Sequence, residues 1–97
     1  MASIVFVSDD AGYREWLEAN PAGFVLNLRS ARRDANYAVL HRSTCLTISS
    51  KKHVEGGYTG HGYRKACSNE LEDLRDIARL EGRLDGSFSN ECFVCLR

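Results

Sequence analysis

The residues best suited to chemistry in this 97-residue chain are its four cysteines, Cys45, Cys67, Cys92 and Cys95. Cys92 and Cys95 form a Cys-x-x-Cys pair, and a tight turn over that spacing places two thiolates on one side of the chain. Such a pair is half of a tetrahedral zinc site, whose other ligands can come from any segments that the fold brings close. The sequence therefore predicts a structural zinc ion held by all four cysteines.

Other interpretations of the cysteines stay open. They do not form two Cys-x-x-Cys pairs, and free cysteine is one of the residues most often buried in a protein core. A redox dithiol is a third interpretation, although a thioredoxin-type pair lies at the start of a helix, whereas Cys92 follows a predicted one. His53 or His61 could also replace one thiolate as a zinc ligand.

A second set of residues combines positive charge with aromatic rings. Lysine and arginine make ionic contacts with phosphates, and tyrosine rings offer flat surfaces on which bases can stack. The pattern predicts nucleic-acid binding, with DNA as the expected partner. The candidate residues are Arg29, Arg32, Arg33, His41, Arg42, Lys51, Lys52, Tyr58, Tyr63, Arg64 and Lys65. The structural alternatives are ordinary packing of the tyrosines and a partly buried His41.

The distribution of charge favours the same partner. Net charge is zero, yet the segment 29–65 contains eight Lys or Arg and two acidic residues, whereas the remainder contains five basic and eleven acidic residues. A chain polarised in this way can present one basic face to a polyanion while its acidic elements keep it soluble. Chance clustering of basic residues in surface loops would give the same pattern.

The sequence contains no arrangement typical of an active site. The carboxylates fall mainly in predicted helices, and the segment GGYTGHG lacks the Lys-Ser or Lys-Thr ending of a phosphate-binding loop. His41, Arg42 and His61 have no acidic metal cluster near them, as a metal-dependent nuclease would need. We therefore expect a non-catalytic protein, with a small nuclease-like or redox enzyme as the alternative.

Hydrophobic periodicity predicts the elements that would position these residues. Asp9 or Asp10 can cap a first helix that runs to about Asn20. Period-two alternation predicts strands, the first two of them paired as a hairpin. The predicted strands are residues 24–29, 37–42, 45–49 and 63–67.

A long glycine-rich loop and a second helix complete the predicted elements. The loop covers residues 50–62, and long loops inside compact domains usually carry a function. The second helix begins after Ser68 or Asn69, where Asn69 and Glu72 resemble a capping box. The prediction is one α+β domain over residues 1–97, with a small antiparallel sheet of about three to four strands, two helices and a C-terminal cysteine knuckle.

Four segments together resemble a small bacterial domain of uncharacterised function that occurs alone or beside HNH-type endonuclease modules in restriction-like proteins. These segments are NPAGFVLNLR, YAVLHRSTC, GYRKACS before a helix, and the closing CFVC, and they extend over about 75 residues. The resemblance implies a DNA-associated recognition or accessory role, with a nuclease or another protein as a further partner. It implies no catalytic residues, because the HNH signature is absent, and it matches all four cysteines to those of the pattern.

The N-terminal segment and the cysteines predict the compartment. MASIVFV runs directly into Asp9 and Asp10, so its apolar stretch is too short for a signal peptide, and no segment approaches the roughly 20 apolar residues of a membrane span. We expect a cytoplasmic protein with no membrane partner, whose cysteines are reduced. The leading hypothesis is a zinc-containing nucleic-acid-binding module, and the alternative is a protein-interaction or regulatory module that binds no nucleic acid.

Overall fold

The structure, a computed structural model, describes residues 3–29, 36–48, 58–60 and 62–92. Its strands are β1 (Ile4–Phe6), β2 (Phe24–Arg29), β3 (Ala38–Arg42), β4 (Tyr63–Ser68) and β5 (Asn90–Glu91). Its α-helices are α1 (Asp10–Ala19) and α2 (Leu71–Leu80). The fold is α+β, as the sequence predicts.

The strands form one mixed sheet in the order β1–β4–β2–β3–β5. Three of its pairings are antiparallel, and the predicted hairpin of β2 and β3 is confirmed, with Leu26 opposite Leu40. The fourth pairing, between β3 and β5, is parallel. The sheet has more strands than the predicted three to four, because it includes β1 and β5, which have only three and two residues. Such short strands carry no clear periodicity and form by pairing with distant segments.

The sheet separates two apolar clusters, because alternate residues of a strand point to opposite faces. Val25 of β2 lies in the first cluster with Tyr13 of α1, and Trp16 and Leu17 pack against it. Leu26 lies in the second cluster, which α2 covers. The other members of the second cluster are Leu28, Ala38, Leu40, Ala66, Leu74 and Ala78. Each helix therefore covers its own face of the sheet.

Helix α1 begins as predicted. Asp9 is the N-cap, and its carboxylate accepts a hydrogen bond of 2.9 Å from the backbone N–H of Gly12. Tyr13 is fully buried, and its hydroxyl donates to the carbonyl of Ile48 at 2.9 Å. The capped helix thus fastens the segment after β3 to the first face of the sheet.

Helix α2 begins differently from the prediction. Its N-cap is Glu70, which makes no side-chain capping bond, so the capping box of Asn69 and Glu72 does not form. Instead, the Ser68 hydroxyl accepts a bond from the backbone N–H of Glu70 at 3.0 Å and donates to the Asp73 carboxylate at 2.9 Å.

Neither α1 nor α2 is long and apolar enough to cross a membrane.

The strand predicted over residues 45–49 is wrong. Residues Leu46–Ile48 form a short 3-10 helix. The backbone N–H of Cys45 donates to the carbonyl of Arg42 at 3.0 Å, and that of Ile48 donates to the carbonyl of Cys45 at 3.3 Å. The first bond closes a turn directly after β3, so the chain cannot continue as an extended strand.

The last part of the predicted loop is anchored to α1. Thr59 is buried, and both its backbone N–H and its hydroxyl donate to the Asp10 carboxylate, at 2.8 and 2.7 Å. The backbone N–H of Asp9 donates to the Thr59 hydroxyl at 2.6 Å. Three hydrogen bonds therefore hold this segment at the start of the helix. Most of the loop, residues 50–57 and 61, lies outside the described residues.

Candidate metal centre and basic surface

Three buried side chains at the end of β3 form a group that could hold a metal ion. The ligand atoms of His41, Cys45 and Cys92 all lie within 4.8 Å of one another. The Sγ atoms of Cys45 and Cys92 are 3.7 Å apart, far longer than a disulfide bond of about 2.05 Å. The two cysteines are therefore separate thiols that share a site with the imidazole.

Backbone hydrogen bonds explain why these three residues meet. His41 lies in β3, and the turn closed by the bond from Cys45 to Arg42 returns the chain towards it. Cys92 follows β5 directly, and its backbone N–H donates to the carbonyl of Leu40 at 2.8 Å. The parallel pairing of β5 with β3 thus places Cys92 beside His41.

Burial keeps the His41 imidazole in the form that a metal binds. The three side chains belong to residues that are only 3–8% exposed. Burial lowers the pKa of His41 to about 4, and the positive charge of Lys65 contributes in the same direction. Because the imidazole is neutral at neutral pH, it has a nitrogen lone pair available to a metal.

The group differs from the four-cysteine set that the sequence predicts. Cys67 is not part of it: the residue is fully buried in β4, in the first apolar cluster. Burial raises the pKa of Cys67 to about 12, so this buried thiol is protonated at neutral pH. Cys95, His53 and His61 lie outside the described residues.

Sequence reasoning did not include His41 among the candidate metal ligands. The sequence predicts a nucleic-acid contact or a partly buried histidine at this position, and the structure places it 7% exposed beside two thiols. Three residues separate His41 from Cys45, a spacing within the range found between ligands of zinc sites. That spacing is the signal that could have identified it.

Besides His41, two of the predicted nucleic-acid contacts lie in the interior. Lys65 is 4% exposed, and its Nζ donates to Oδ1 of Asn27 at 2.8 Å and to the backbone carbonyl of Tyr58 at 2.6 Å. Tyr58 is 2% exposed, and its ring centroid lies 5.4 Å from that of Tyr13. Lys65 is buried because its position in β4 faces the side of the sheet that α1 covers. Neither side chain lies on a surface that a phosphate or a base could reach.

Arg64 is held by an ion pair within the fold. Its Nη2 and Nη1 atoms lie 2.6 and 3.3 Å from the two carboxylate oxygens of Glu81, and its Nε donates to the carbonyl of Arg29 at 2.8 Å. Both side chains of the pair are about one-tenth exposed. The guanidinium of Arg64 is therefore engaged in connecting β4, β2 and the end of α2.

The remaining described candidates lie on the surface, at two places. Arg29 is exposed, with its guanidinium carbon 4.6 Å from the ring centroid of Tyr37 and 5.4 Å from that of Tyr63. Arg42 is exposed at the opposite end of the same strand pair, across from Phe24. Tyr37 is an addition to the predicted set, because it lies immediately before β3, whose pairing places it beside Arg29. Arg32, Arg33, Lys51 and Lys52 lie outside the described residues.

Comparisons with known proteins found no relative of this chain. No family model, no curated protein and no solved structure matches it. The resemblance to the small bacterial domain of restriction-like proteins therefore stays a prediction. Any function must be argued from the candidate metal group and the surface residues themselves.

Proposed function

We propose that this protein is a non-catalytic nucleic-acid-binding module that is stabilised by one structural zinc ion. The buried group of His41, Cys45 and Cys92 is the observation that carries this proposal. Cys95 completes the site as the fourth ligand. The zinc ion connects the end of β3, the turn after it and the segment after β5.

The separations between the ligand atoms suit zinc. With zinc–sulfur bonds of about 2.3 Å at a tetrahedral angle, two thiolates lie about 3.8 Å apart, and Cys45 and Cys92 are separated by 3.7 Å. A thiolate and an imidazole nitrogen in such a site lie about 3.6 Å apart, against an upper limit of 4.8 Å here. A movement of His41 of at most about 1.2 Å would therefore complete the geometry. Thiolate and imidazole together are typical zinc ligands.

Cys95 is assigned as the fourth ligand from its spacing. It follows Cys92 by three positions, and that spacing places two sulfurs on one metal in zinc knuckles. With four protein ligands the coordination sphere is closed, which is typical of structural zinc and leaves no position for a reacting water. The burial of the three described ligands supports the same role.

The described cations support a smaller nucleic-acid interface than the sequence predicts. Lys65 and Arg64 are engaged inside the fold, whereas Arg29 and Arg42 are exposed. The excess of basic residues in segment 29–65 makes a polyanion the expected ligand. Arg29 and Arg42, together with Arg32, Arg33, Lys51 and Lys52, are the proposed phosphate contacts.

Metal analysis of the purified, reduced protein tests the zinc centre. We expect about one zinc per chain, and loss of zinc in Cys45→Ser, Cys92→Ser and Cys95→Ser. Cys67→Ala is the matched control, because it removes a thiol that lies outside the group, and it should keep its zinc. A folded protein without metal would overturn the proposal, as would zinc loss in Cys67→Ala with retention in Cys45→Ser. Iron instead of zinc would correct the metal and keep the site.

Fluorescence anisotropy with labelled oligonucleotides tests nucleic-acid binding. Single-stranded and duplex DNA and RNA are titrated with zinc-loaded protein at about 50 and about 200 mM salt. Because phosphate contacts release counterions, each contact contributes about 0.7 to 0.9 to the slope of log affinity against log salt. We expect affinity to fall by at least about tenfold between the two concentrations. Absence of binding to all four ligands at about 10 µM protein would refute this part of the proposal.

A protein-interaction module is the second candidate, and β1 favours it. β1 is an edge strand of the sheet, and Ile4, Val5 and Val7 are exposed apolar residues on and beside it. An extended segment of a partner can add to such an edge through backbone hydrogen bonds. Capture of a protein that survives nuclease treatment, and that is lost in Val5→Pro, would support this candidate over nucleic-acid binding.

A further inference from the structure

Arg29, Tyr37 and Tyr63 form a cluster at one end of three adjacent strands, which we call the Arg29 cluster. Arg29 and Tyr63 are directly opposite each other in the β2–β4 pair, and Tyr37 immediately precedes β3. The two tyrosine rings have centroids 5.8 Å apart at an interplanar angle of 52°. The guanidinium of Arg29 lies over both rings, at 4.6 and 5.4 Å from their centroids.

Arg29 differs from three other described arginines, which form ion pairs. Arg64, Arg75 and Arg79 each contact a carboxylate at 2.6 to 3.0 Å. Arg29 makes no ion pair within the described part of the chain, where its side-chain contacts are the two rings. An exposed guanidinium oriented by aromatic faces keeps its hydrogen-bond donors available to an anion.

The tyrosines of the cluster are held in place but are not buried. The Tyr37 hydroxyl accepts a hydrogen bond of 3.1 Å from Nδ2 of Asn27. The Nζ of Lys65 lies 5.4 Å from the ring centroid of Tyr63, which adds positive charge beneath the cluster. Both tyrosines are partly exposed, so each residue is partly accessible to solvent. A guanidinium beside two fixed and partly exposed tyrosines is suited to a ligand that has one anionic group and one planar group.

We infer that the Arg29 cluster binds one nucleotide unit of a single-stranded nucleic acid, with Arg29 on the phosphate and the two tyrosines against the unpaired base. This inference rests on the proposed nucleic-acid-binding function and names its ligand class and site. The planar guanidinium can pair with two phosphate oxygens at once. A base stacks on a protein ring only when its own face is not covered by a neighbouring base pair. The cluster therefore favours single strands over duplex.

Anisotropy titrations of variants with an oligothymidylate of about 12 nucleotides and a duplex of equal length test the inference. Removal of a stacking ring costs about 1–3 kcal/mol per base, or roughly 5- to 150-fold in affinity. We expect Tyr63→Leu to weaken oligothymidylate binding at least about fivefold, whereas Tyr63→Phe, which keeps the ring, should bind with the affinity of the wild-type protein. We expect Arg29→Gln to weaken it by a similar factor. Arg79→Gln is the matched control: it removes the same charge from an exposed arginine of α2 and should change affinity less than about twofold.

The outcomes separate this inference from the function on which it rests. If the wild-type protein binds none of the oligonucleotides, the proposed function fails. If it binds, but Arg29→Gln and Tyr63→Leu match Arg79→Gln, or duplex is preferred, the inference fails and the function stands. Circular dichroism confirms that each variant is folded. Arg29→Gln alters an exposed side chain, so it still decides the matter if Tyr63→Leu does not fold.

Discussion

Replacement of Arg64 tests whether this residue stabilises the fold or contacts nucleic acid. The sequence groups it with the phosphate-binding cations, but the structure places its guanidinium against both carboxylate oxygens of Glu81, at 2.6 and 3.3 Å. Arg64→Met removes the charge and keeps a long, unbranched side chain. The double variant Arg64→Met/Glu81→Met keeps the net charge of the wild-type protein.

The burial of the pair sets the expected size of the effect. Exposed ion pairs contribute about 0–1 kcal/mol, whereas removal of one partner from a buried pair costs about 3–5 kcal/mol. Side-chain exposures of 12% for Arg64 and 10% for Glu81 place this pair near the buried limit. Arg64→Met also removes a donor from the carbonyl of Arg29, which costs about 1 kcal/mol. We therefore expect a loss of about 3–4 kcal/mol, and a smaller loss in the double variant, which leaves no uncompensated charge.

Urea denaturation of the zinc-loaded protein measures these losses, and a double-mutant cycle gives a coupling energy that we expect to be about 2 kcal/mol. Oligonucleotide affinity is measured under conditions in which all variants are folded, and for Arg64→Met it should stay within about twofold to threefold of wild type. An unchanged urea midpoint combined with a roughly tenfold loss of affinity would refute the structural role and return Arg64 to the nucleic-acid interface.

Three further predictions concern residues of the scaffold. Thr59→Val removes the hydroxyl that bonds to Asp10 and should lower the free energy of unfolding by about 1–3 kcal/mol; a Thr59→Ser variant that is equally destabilised would contradict this cause. Gly62 has φ +95°, and among the described residues other than its chain neighbours no atom lies within 4 Å of the place that a Cβ atom would occupy. Gly62→Ala should therefore cost about 1 kcal/mol in urea denaturation through backbone strain alone, and an unchanged midpoint would argue against that conformation. The pKa of Cys67 is raised by burial from 9.0 to about 12, so its contribution to stability is complete below about pH 9 and is lost as pH rises towards about 12; Cys67→Ala should show a shallower fall in stability over this range, and equal slopes would disprove the linkage.

The regular elements of this fold could be predicted because their signals are local. From Leu26 to Arg29, β2 alternates apolar and polar residues, and Asp9 caps α1 through a bond to a residue three positions away. β1 and β5 carry no such signal, because their pairing partners lie about 50 or more positions away in the sequence. The turn after β3 was missed because the residues that follow Cys45 have high strand propensity, whereas a tertiary context decides their conformation.

The candidate metal group could be predicted only in part, because its membership also depends on pairing between distant segments. Cys45 and Cys92 were identified by residue type, but the choice between His41 and Cys67 as their neighbour depends on which strand β5 joins. Because β5 joins β3, Cys92 meets His41, while Cys67 lies two strands away from β3 in β4. The burial of Lys65 could not be predicted either, because the sequence does not show which face of β4 is covered by α1.

The pairing of β5 with β3 also has a consequence for the solubility of the protein. The two residues of β5 lie along the outer side of β3. On either side of them, the backbone N–H groups of Ser89 and Cys92 donate to the carbonyls of Ala38 and Leu40. An unpaired strand of this composition is a template for intermolecular β-sheet formation. In the proposed site, the zinc ion would hold Cys92 next to β3 and so help these backbone bonds to keep that edge covered.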